Sequence, residues 1–255
     1  MKATETQTTL VDLKLNRFEG GSWRRISDTV AKEVAVDIRW EDAARGYSGT
    51  TTLWAWPHEL EELALGHTLL ELDRQNDAPL LPVANVVAES PFSFVVSIGQ
   101  KTRHIPPPPE NWNAASLVAA MRTFIAAPGL WEETGCFHRA GAFSIGEEKL
   151  LYLVEDIGRH NCLDRLAGWS ASSGTPLADK ALLTSARITA SYCAKALRAG
   201  FRILVSRGTV TSAAIALARE ETATLVGFAR PNEERFTVFA DDPRRLVVTE
   251  GGDRG

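Results

Sequence analysis

The most chemically versatile side chains in this sequence directly follow an apolar run that ends at Val154. They occupy seven consecutive positions, Glu155-Asp156-Ile157-Gly158-Arg159-His160-Asn161. Gly158 permits a sharp turn or the close approach of a ligand, and His160 can either carry a proton near neutral pH or only donate a hydrogen bond. Asp156 can orient His160 or accept from a base or a sugar. Packing alone does not account for so many polar groups, although a polar turn capped by Asn161 stays an alternative.

Three more loops follow predicted strands in the same way, and each of them carries an arginine. Together with the first segment they supply Arg159, Arg187, Arg207 and Arg230. Ligands of an open parallel sheet bind outside the carboxyl ends of its strands, where the following helices offer unpaired N–H groups. Guanidinium groups suit phosphate oxygens in a bidentate way. The four arginines therefore predict a site for a diphosphate or a larger anion, while pairing with surface carboxylates is the alternative for any one of them.

A second polar group, in the segment 134–139, contains a cysteine two residues before a histidine. A positive neighbour such as His138 lowers the pKa of a thiol and would make Cys136 reactive. A lone cysteine is more often a small buried residue, and residue types alone favour that interpretation of Cys136. Cys162 and Cys193 lie among apolar residues at helical positions and are expected in the core.

Strand-like and helix-like patterns alternate along the first part of the chain. Strands are predicted at Val34–Trp40, Thr50–Trp56 and Val83–Ile98, the last broken at Pro91. Pro57 is expected to open a helix with one apolar face, formed by Leu60, Leu63, Ala64, His67 and Leu70. The prolines at 106–109 predict a rigid link, and Asn113 is a predicted cap for the next helix.

The second part of the chain alternates more regularly, after a hairpin predicted at Ala142–Ile145 and Lys149–Val154. The expected order is helix Asn161–Gly168, strand Ala181–Ser185, helix Thr189–Ala199, strand Arg202–Ser206, helix Thr211–Glu220, strand Thr224–Phe228 and strand Phe236–Ala240. This alternation implies parallel neighbours joined by right-handed crossovers. We expect an α/β fold, with a parallel or mixed sheet and helices on both faces. A smaller N-terminal α+β part at residues 1–105 and a cofactor-binding domain at 106–255 are expected, unless the two form one continuous domain.

The composition of the chain excludes several classes of protein. Of the 255 residues 44% are apolar, and the net charge of -4 offers no general attraction to nucleic acid or to an acidic membrane. The polar start, Met1–Asn16, lacks the apolar centre of a signal peptide, and no segment approaches the roughly 20 apolar residues that span a bilayer. Three widely spaced cysteines in such a chain indicate reduced thiols and the cytoplasm. The histidines show no zinc-binding spacing, so no metal ligands are expected.

The segment 155–161, with Asp164 and Arg165 after it, resembles the signature of the formate dehydrogenase accessory protein (FdhD) family. The resemblance runs from about Lys32 to Leu246, and its other motifs are Glu62-Leu63-Ala64-Leu65-Gly66-His67, Thr134-Gly135-Cys136-Phe137-His138, Thr184-Ser185-Ala186-Arg187 and Leu225-Val226-Gly227-Phe228-Ala229-Arg230. It implies a cytidine-deaminase-like fold without the deaminase zinc. It also implies binding of bis-molybdopterin guanine dinucleotide, with molybdenum or tungsten, and transfer of sulfur to that cofactor from a cysteine desulfurase.

The resemblance also implies binding residues and partners. The family's guanine-nucleotide loop corresponds to Phe228–Asn232, with Arg235 beyond a short insertion. Combined with the polar loops, the expected cofactor-binding set is Glu155, Asp156, Gly158, Arg159, His160, Asn161, Arg187, Ser206, Arg207, Thr209, Thr211, Phe228, Ala229, Arg230, Pro231, Asn232 and Arg235. The expected partners are a molybdenum- or tungsten-dependent dehydrogenase that receives the cofactor and a cysteine desulfurase, and a homodimer is left open.

One departure from the family pattern bears on the reaction. The family's sulfur-carrying Cys-Gly-x-Cys segment corresponds to Gly99-Gln100-Lys101-Thr102-Arg103-His104, which contains no cysteine. Persulfide chemistry requires a thiolate. One hypothesis is therefore a sulfurtransferase that works through Cys136 beside His138, and the other is a cofactor carrier or insertion chaperone that transfers no sulfur. A third hypothesis is a small-molecule enzyme that uses Asp156 and His160 as acid and base.

Overall fold

The computed structural model describes residues 9–72, 82–102 and 106–247. In these ranges the chain forms a six-stranded sheet, a four-stranded sheet, a two-stranded ribbon and a short two-stranded sheet, with helices packed between and around them. None of the helices in the described ranges is long and apolar enough to cross a membrane. The mixed α/β class agrees with the expectation from the sequence.

The described chain begins with an antiparallel ribbon that the sequence patterns did not reveal. Strand β1 (Leu10–Glu19) pairs along its whole length with β2 (Ser22–Ala31). Gly20 and Gly21 form the turn with φ angles of 58° and 79°, which favour glycine. The apolar residues of the ribbon alternate with charged ones and stay largely exposed, so this stretch reads as polar in composition.

A four-stranded sheet follows, in the order β4-β3-β6-β5. Its strands are β3 (Val34–Asp42), β4 (Tyr47–Ala55), β5 (Pro82–Ser90) and β6 (Ser93–Thr102). Val34, Val36 and Ile38 of β3 are buried in one cluster with helix α1 (Leu60–His67), which is the period expected of a half-buried strand. The strands predicted here are confirmed, and the predicted break at Pro91 lies in the turn between β5 and β6.

Helix α1 starts three residues after Pro57, which was predicted to open it. Glu59, directly before the helix, has a φ of 45°, and this left-handed residue stops the helix from extending back. Beyond His67 the chain continues in a π-helical segment, Thr68–Leu72. The aliphatic residues predicted on the apolar face are buried, namely Leu60, Leu63, Ala64 and Leu70.

The second part of the chain builds a six-stranded sheet in the order β13-β12-β11-β10-β8-β9. Its strands are β8 (His138–Ser144), β9 (Lys149–Asp156), β10 (Lys180–Thr184), β11 (Ile203–Ser206), β12 (Thr224–Arg230) and β13 (Arg235–Ala240). The predicted parallel pairing of β10, β11 and β12 is confirmed. The parallel pairing that the alternation implied for β9 and β10 is wrong, because β8 lies between them and is antiparallel to both.

Helices cover both faces of this sheet, as predicted. Leu204 of β11 packs in one cluster with helices α4 (Arg159–Ser173), α5 (Ala190–Arg198) and α6 (Ser212–Glu220). Its neighbours in the strand pack in another cluster with α2 (Ala114–Ala126). The expected cap of α2 is confirmed, since the side chain of Asn113 accepts from the backbone N–H of Ser116 at 2.8 Å.

A short helix and a short two-stranded sheet complete the description. Helix α3 (Trp131–Thr134) precedes β8, and the two-residue strands β7 (Trp112–Asn113) and β14 (Leu246–Val247) pair in parallel. The prolines at 106–109 form neither helix nor strand, as expected for a rigid link.

Helix α4 is longer than predicted at both ends. It begins directly after Gly158 and ends at Gly174, whose φ of 77° stops it. Asn161, the predicted cap, lies inside the first turn, where its side chain bonds to other groups. Gly168, the predicted end, lies in the middle of the helix. A glycine stands there because the backbone of α1 passes close to it.

The crossing of α1 and α4 brings their backbones into contact. A Cβ atom on Gly66 would lie 1.7 Å from the carbonyl oxygen of Asp164, and one on Gly168 would lie 1.9 Å from the carbonyl oxygen of Glu62. Only glycine fits at either position. This contact joins the two parts of the chain that the sequence suggested, while a domain boundary at residue 105 stays a prediction.

Replacement of Gly168 by alanine is expected to destabilise the fold. The added methyl group must push two helix backbones apart, and overpacking of this kind costs about 1–3 kcal/mol or more. The free energy of unfolding in urea measures the effect. Gly146→Ala is the matched control, because nothing lies within 4 Å of its Cβ position. Equal stability of the two variants would contradict the close crossing.

Candidate functional site

The topology of the large sheet brings the predicted loops to one edge. Strands β9, β10, β11 and β12 run in the same direction, so the segments 155–161, 185–188, 206–211 and 228–232 leave them at the same side. We call these four segments the rim. His138 joins the rim, since β8 runs in the opposite direction and begins where β9 ends.

Backbone hydrogen bonds connect neighbouring loops of the rim. The N–H of Ile188 donates to the carbonyl of Thr209 at 3.0 Å, and the N–H of Thr211 donates to the carbonyl of Ile188 at 3.1 Å. The N–H of Phe228 donates to the carbonyl of Gly208 at 2.6 Å. Phe228 itself has a φ of 51°, a left-handed conformation that costs a bulky residue free energy and is frequent at binding sites. These bonds hold the three loops as one connected surface.

Asp156 is fully buried and lies beneath the rim. Its Oδ2 accepts from Arg165 Nε at 3.0 Å and from Nη2 at 2.5 Å. Its Oδ1 accepts from the N–H of Gly158 at 2.8 Å and from Asn161 Nδ2 at 2.9 Å. The proposed pairing of Asp156 with His160 is absent from the described hydrogen bonds. The carboxylate therefore stabilises the turn into α4 from within.

Arg165 carries the connection from Asp156 into the N-terminal part of the chain. Its guanidinium donates to the carbonyl oxygens of Trp56, His58 and Glu59, with distances of 2.8 Å to Trp56 and 2.9 Å to Glu59. Arg165 and Asp156 are both buried, and their ion pair at 2.5 Å balances the charge of the guanidinium. The segment before α1 is thereby fixed to the start of α4.

Asn161 and Gly158 complete the same turn. Asn161 Nδ2 also donates to the carbonyl of Trp54 at 2.9 Å. A Cβ atom on Gly158 would lie 2.8 Å from that nitrogen, so a larger residue would displace the amide. The group that lies close to Gly158 in this structure is the side chain of Asn161, and the close approach of a ligand there stays a prediction.

Glu155 has an equally structural environment. Its carboxylate accepts from the N–H groups of Leu130 at 2.7 Å and Trp131 at 3.0 Å, and it pairs with Arg139 at 2.7 Å. Arg139 is buried and also donates to three carbonyl oxygens at the end of α2, those of Phe124, Ile125 and Ala127. Glu155 and Arg139 thus attach α2 and α3 to the sheet, a role that residue types alone did not reveal.

The arginines of the rim differ in their partners. In the described ranges no carboxylate lies within ion-pair distance of Arg159, Arg187 or Arg207. Arg230 pairs with Glu233 at 3.3 Å. Arg235 pairs with the same carboxylate at 2.7 Å. Arg230 therefore forms the surface ion pair that was the alternative to anion binding, and Arg235 shares its partner. Arg159, Arg187 and Arg207 are therefore the rim cations that have no carboxylate partner among the side chains that the structure describes.

The electrostatics of the two rim histidines reflect these charges. Burial, followed by the positive charges of Arg159 and Arg187, lowers the pKa of His138. Burial, followed by the charges of Lys195 and Arg159, lowers the pKa of His160. Both shifts favour the neutral form of the imidazole, and His160 Nε2 lies 3.4 Å from Ser191 Oγ. Neutral imidazoles beside free guanidiniums suit hydrogen bonding to an anion.

The hydroxyl groups predicted for the site mostly serve the loops themselves. The buried Ser206 Oγ donates to the carbonyl of Ala186 at 2.7 Å and accepts from Gly208 N. Thr211 caps α6 by accepting from Ala214 N, and Thr189 caps α5 in the same way. Thr209 Oγ1 donates to the carbonyl of Val210 at 3.4 Å. Helices α4, α5 and α6 all begin at the rim, where the positive ends of their dipoles add to the arginine charges.

The remaining residues of the predicted binding set lie at the end of β12. Ala229 and Pro231 are buried, whereas Asn232 is exposed. Pro231 and Asn232 line a cavity of about 360 Å³ that also contacts Arg122, Arg139 and the end of α2. The predicted binding roles of the rim residues stay predictions.

The three cysteines have different environments. Cys136 is exposed in the loop before β8, so the interpretation of it as a buried residue is wrong. Cys162 and Cys193 are buried, as expected, and burial raises the pKa of both thiols, that of Cys193 to about 11. Cys136 is therefore the thiol of this chain that solvent and partners can reach.

The chain is similar to proteins of a known family. A model described as the FdhD/NarQ family matches residues 87–247. A sulfur carrier protein FdhD from Listeria monocytogenes is 29% identical over 89% of this chain and 95% of its own length. A protein FdhD from Methanocaldococcus jannaschii is 39% identical over 43% of this chain and 47% of its own length.

A solved structure resembles the fold over nearly its full extent. It is the crystal structure of a putative formate dehydrogenase accessory protein from Desulfotalea psychrophila, which is 24% identical and has a TM-score of 0.75. The match covers 94% of this chain and all of that one. With the family model matched over more than half of its length, this chain belongs to the FdhD/NarQ family.

Asp156→Asn is expected to destabilise the protein strongly. The change leaves the buried charge of Arg165 without a counter-ion, and loss of one partner of a buried pair costs about 3–5 kcal/mol. Denaturant unfolding measures the loss. Asp28→Asn is the matched control, because Asp28 pairs with Arg17 on the exposed ribbon, where such pairs contribute about 0–1 kcal/mol. A loss at Asp156 no greater than that at Asp28 would contradict the structural role of the pair.

Acidification is expected to destabilise the folded chain through its two rim histidines. Their pKa values lie below the ordinary 6.5 in the folded state, so the unfolded chain binds protons first as the pH falls. The free energy of unfolding therefore declines below about pH 6.5, and their contribution levels off below the folded pKa values. Urea unfolding across this range compares the wild type with a His138→Gln/His160→Gln variant, which should lose part of the decline. The same decline in both proteins would refute this assignment.

Proposed function

We propose, with membership of the FdhD/NarQ family as the premise, that this chain is an accessory protein for the maturation of a molybdenum or tungsten enzyme of the formate dehydrogenase type. Its rim would bind bis-molybdopterin guanine dinucleotide and support the sulfuration of that cofactor or its insertion into the enzyme. The relative from Listeria monocytogenes is named a sulfur carrier protein, and the related crystal structure is titled a putative formate dehydrogenase accessory protein.

The observation that carries the proposal is the set of uncompensated cations on the rim. Arg159, Arg187 and Arg207 have no carboxylate partner among the described residues, although the chain as a whole is acidic. A bare cation cluster at the starts of three helices is unfavourable unless an anion balances it. The proposed cofactor carries two diphosphate groups, which match three guanidinium forks and the adjacent N–H groups.

The end of β12 is the proposed place for the guanine nucleotide. Phe228 has the left-handed conformation that marks a constrained loop, and Asn232 is exposed beside it. Arg230 and Arg235 share Glu233 in exposed ion pairs, which contribute little free energy. Either arginine can therefore exchange that partner for a phosphate at low cost.

Sulfur transfer by this chain would depend on Cys136. No cysteine stands at Gly99–His104, where the family's sulfur-carrying pair is expected, and Cys162 and Cys193 are buried. A transferred sulfur would be held as a persulfide on Cys136 Sγ, supplied by a cysteine desulfurase. The second candidate function is a carrier that binds and delivers the cofactor without sulfur transfer, and the missing cysteine pair favours it.

The small-molecule enzyme with Asp156 and His160 as acid and base finds little support. Asp156 is inaccessible, and its oxygens accept from Arg165, Gly158 and Asn161. A saturated carboxylate paired with an arginine cannot exchange protons with a substrate at the rim.

Binding of the nucleotide part is the direct test. Saturation with GDP at 100 times its dissociation constant should raise the free energy of unfolding by about 2.7 kcal/mol. Arg187→Ala should weaken binding by about 10- to 100-fold, since a hydrogen bond to a charged group contributes about 1.5–3 kcal/mol. Arg39→Ala, which removes an exposed pair with Glu89 on the other sheet, is the control and should leave affinity unchanged. Protein purified from a molybdenum-replete host should release a guanine dinucleotide pterin in mass spectrometry, and its absence together with no GDP effect would refute the proposal.

The two candidate functions differ in their dependence on Cys136. We expect Cys136→Ala to retain the ability to activate the target dehydrogenase in cells, as a carrier without sulfur transfer would. Mass spectrometry of the wild type after incubation with a cysteine desulfurase and cysteine provides the second measurement. Loss of activation by Cys136→Ala, with a persulfide on Cys136 in the wild type, would establish the sulfurtransferase instead.

A further inference from the structure

The indole ring of Trp131 lies beside two guanidinium groups. The Cζ atom of Arg139 is 5.3 Å from the ring centroid, and that of Arg207 is 5.5 Å from it. Both distances fall within the roughly 6 Å over which a cation is attracted to an aromatic face. Trp131 is half-buried at the start of α3, so its ring forms a link between the interior and the rim.

The two arginines differ in their other contacts. Arg139 is buried, pairs with Glu155 and donates to carbonyl oxygens at the end of α2. Arg207 is exposed, and its backbone N–H donates to the carbonyl of Thr184 at 2.9 Å. In the described part of the chain, the ring of Trp131 is the contact found for the Arg207 guanidinium.

Trp131 is itself firmly attached to the sheet. Its backbone N–H donates to Glu155 Oε1 at 3.0 Å, and the preceding N–H, of Leu130, donates to Oε2 at 2.7 Å. Glu155 belongs to β9, and the arginine that it binds, Arg139, belongs to β8. The backbone that carries the Trp131 ring is therefore attached to two strands of the sheet.

This geometry leaves the binding groups of Arg207 free. The attraction between a cation and a ring uses none of the guanidinium N–H groups as hydrogen-bond donors to oxygen, and no described hydrogen bond uses those of Arg207, so they remain available to oxygen acceptors. A long side chain loses conformational freedom when it binds a ligand, and restraint before binding reduces that loss. The positive charge of Arg139 is balanced by Glu155, so it adds little repulsion to the charge of Arg207.

We propose that Trp131 is a positioning residue, which holds the guanidinium of Arg207 in place for an anionic group of the ligand. The ligand's phosphate chemistry rests on the proposed function, whereas the contact between ring and guanidinium is independent of it. The sequence does not reveal this role, because 76 positions separate the two residues and a lone tryptophan reads as a core or rim residue. Two measurements test the contact and its consequence separately.

The contact is tested by nuclear magnetic resonance of the arginine Nε–Hε groups. The ring current of Trp131 should displace the Arg207 signal, which is assigned from its loss in Arg207→Lys. Trp131→Leu should return the signal towards the position of a free arginine, and Trp131→Phe, which keeps a ring, should lie between. Trp23→Leu, at the exposed tip of the ribbon, is the matched control and should leave the signal in place. An Arg207 signal that Trp131→Leu and Trp131→Phe leave unchanged would overturn the proposal.

The consequence is tested by calorimetric titration with GDP and with inorganic pyrophosphate. Trp131→Leu should weaken binding by about two- to fivefold, the factor that corresponds to an exposed cation–π contact. In an Arg207→Ala background the same change should have no further effect, since a positioning residue acts through its partner. An equal loss in both backgrounds would indicate a general structural defect and overturn the proposal. If the wild type bound neither probe, the proposed function would fail, and the resonance measurement would still decide on the contact.

Discussion

The buried ion pair of Asp156 and Arg165 is the constraint on which the rest of the site depends. Each charge would be very unfavourable in the interior without the other, so the pair fixes where the end of β9 and the second turn of α4 lie. Asp156 then orders the turn through Gly158 and Asn161, and Arg165 binds three carbonyl oxygens of the segment before α1. One electrostatic contact thus couples the smaller sheet, the larger sheet and the rim.

A second feature of the site is that its acidic and its basic side chains lie at different depths. The acidic residues of the segment 155–161 are turned inward, where arginines from other elements neutralise them. Three arginines of the rim, Arg159, Arg187 and Arg207, have no carboxylate partner among the described side chains, and the charges of Arg159 and Arg187 help to lower the pKa of His138. A chain with a net charge of -4 therefore presents a locally positive edge. Such an edge is suited to hold an anion and less suited to acid–base catalysis.

The family relationship and the local chemistry bear on different parts of the function. The rim, which is the proposed binding surface, occupies the edge of the six-stranded sheet, whereas the segment without the family's cysteines begins in β6 of the four-stranded sheet. Loss of a thiol there leaves the hydrogen bonds of the rim intact, because they form among residues 184–228. The proposed binding surface and the position of the family's cysteine pair therefore lie on different sheets. That separation makes a carrier without sulfur chemistry a coherent form of the protein.

The sequence by itself determined most strands and helices from Val34 onward and the parallel direction of β10, β11 and β12, but it did not reveal the ribbon of β1 and β2. Hydrophobic period and capping residues located the strands and helices around Asn113, Thr189 and Thr211, and the regular alternation placed the arginine loops at one edge. Tertiary structure alone decided the insertion of β8 between β9 and β10, since strand pairing depends on contacts between distant residues. It also decided what the signature residues do. Asp156 reads as a catalytic or ligand-binding carboxylate until Arg165 pairs with it in the interior. Arg165 is held there by the carbonyls of Trp56, His58 and Glu59, so burial and counter-charge are set by the packing of segments about 100 positions apart.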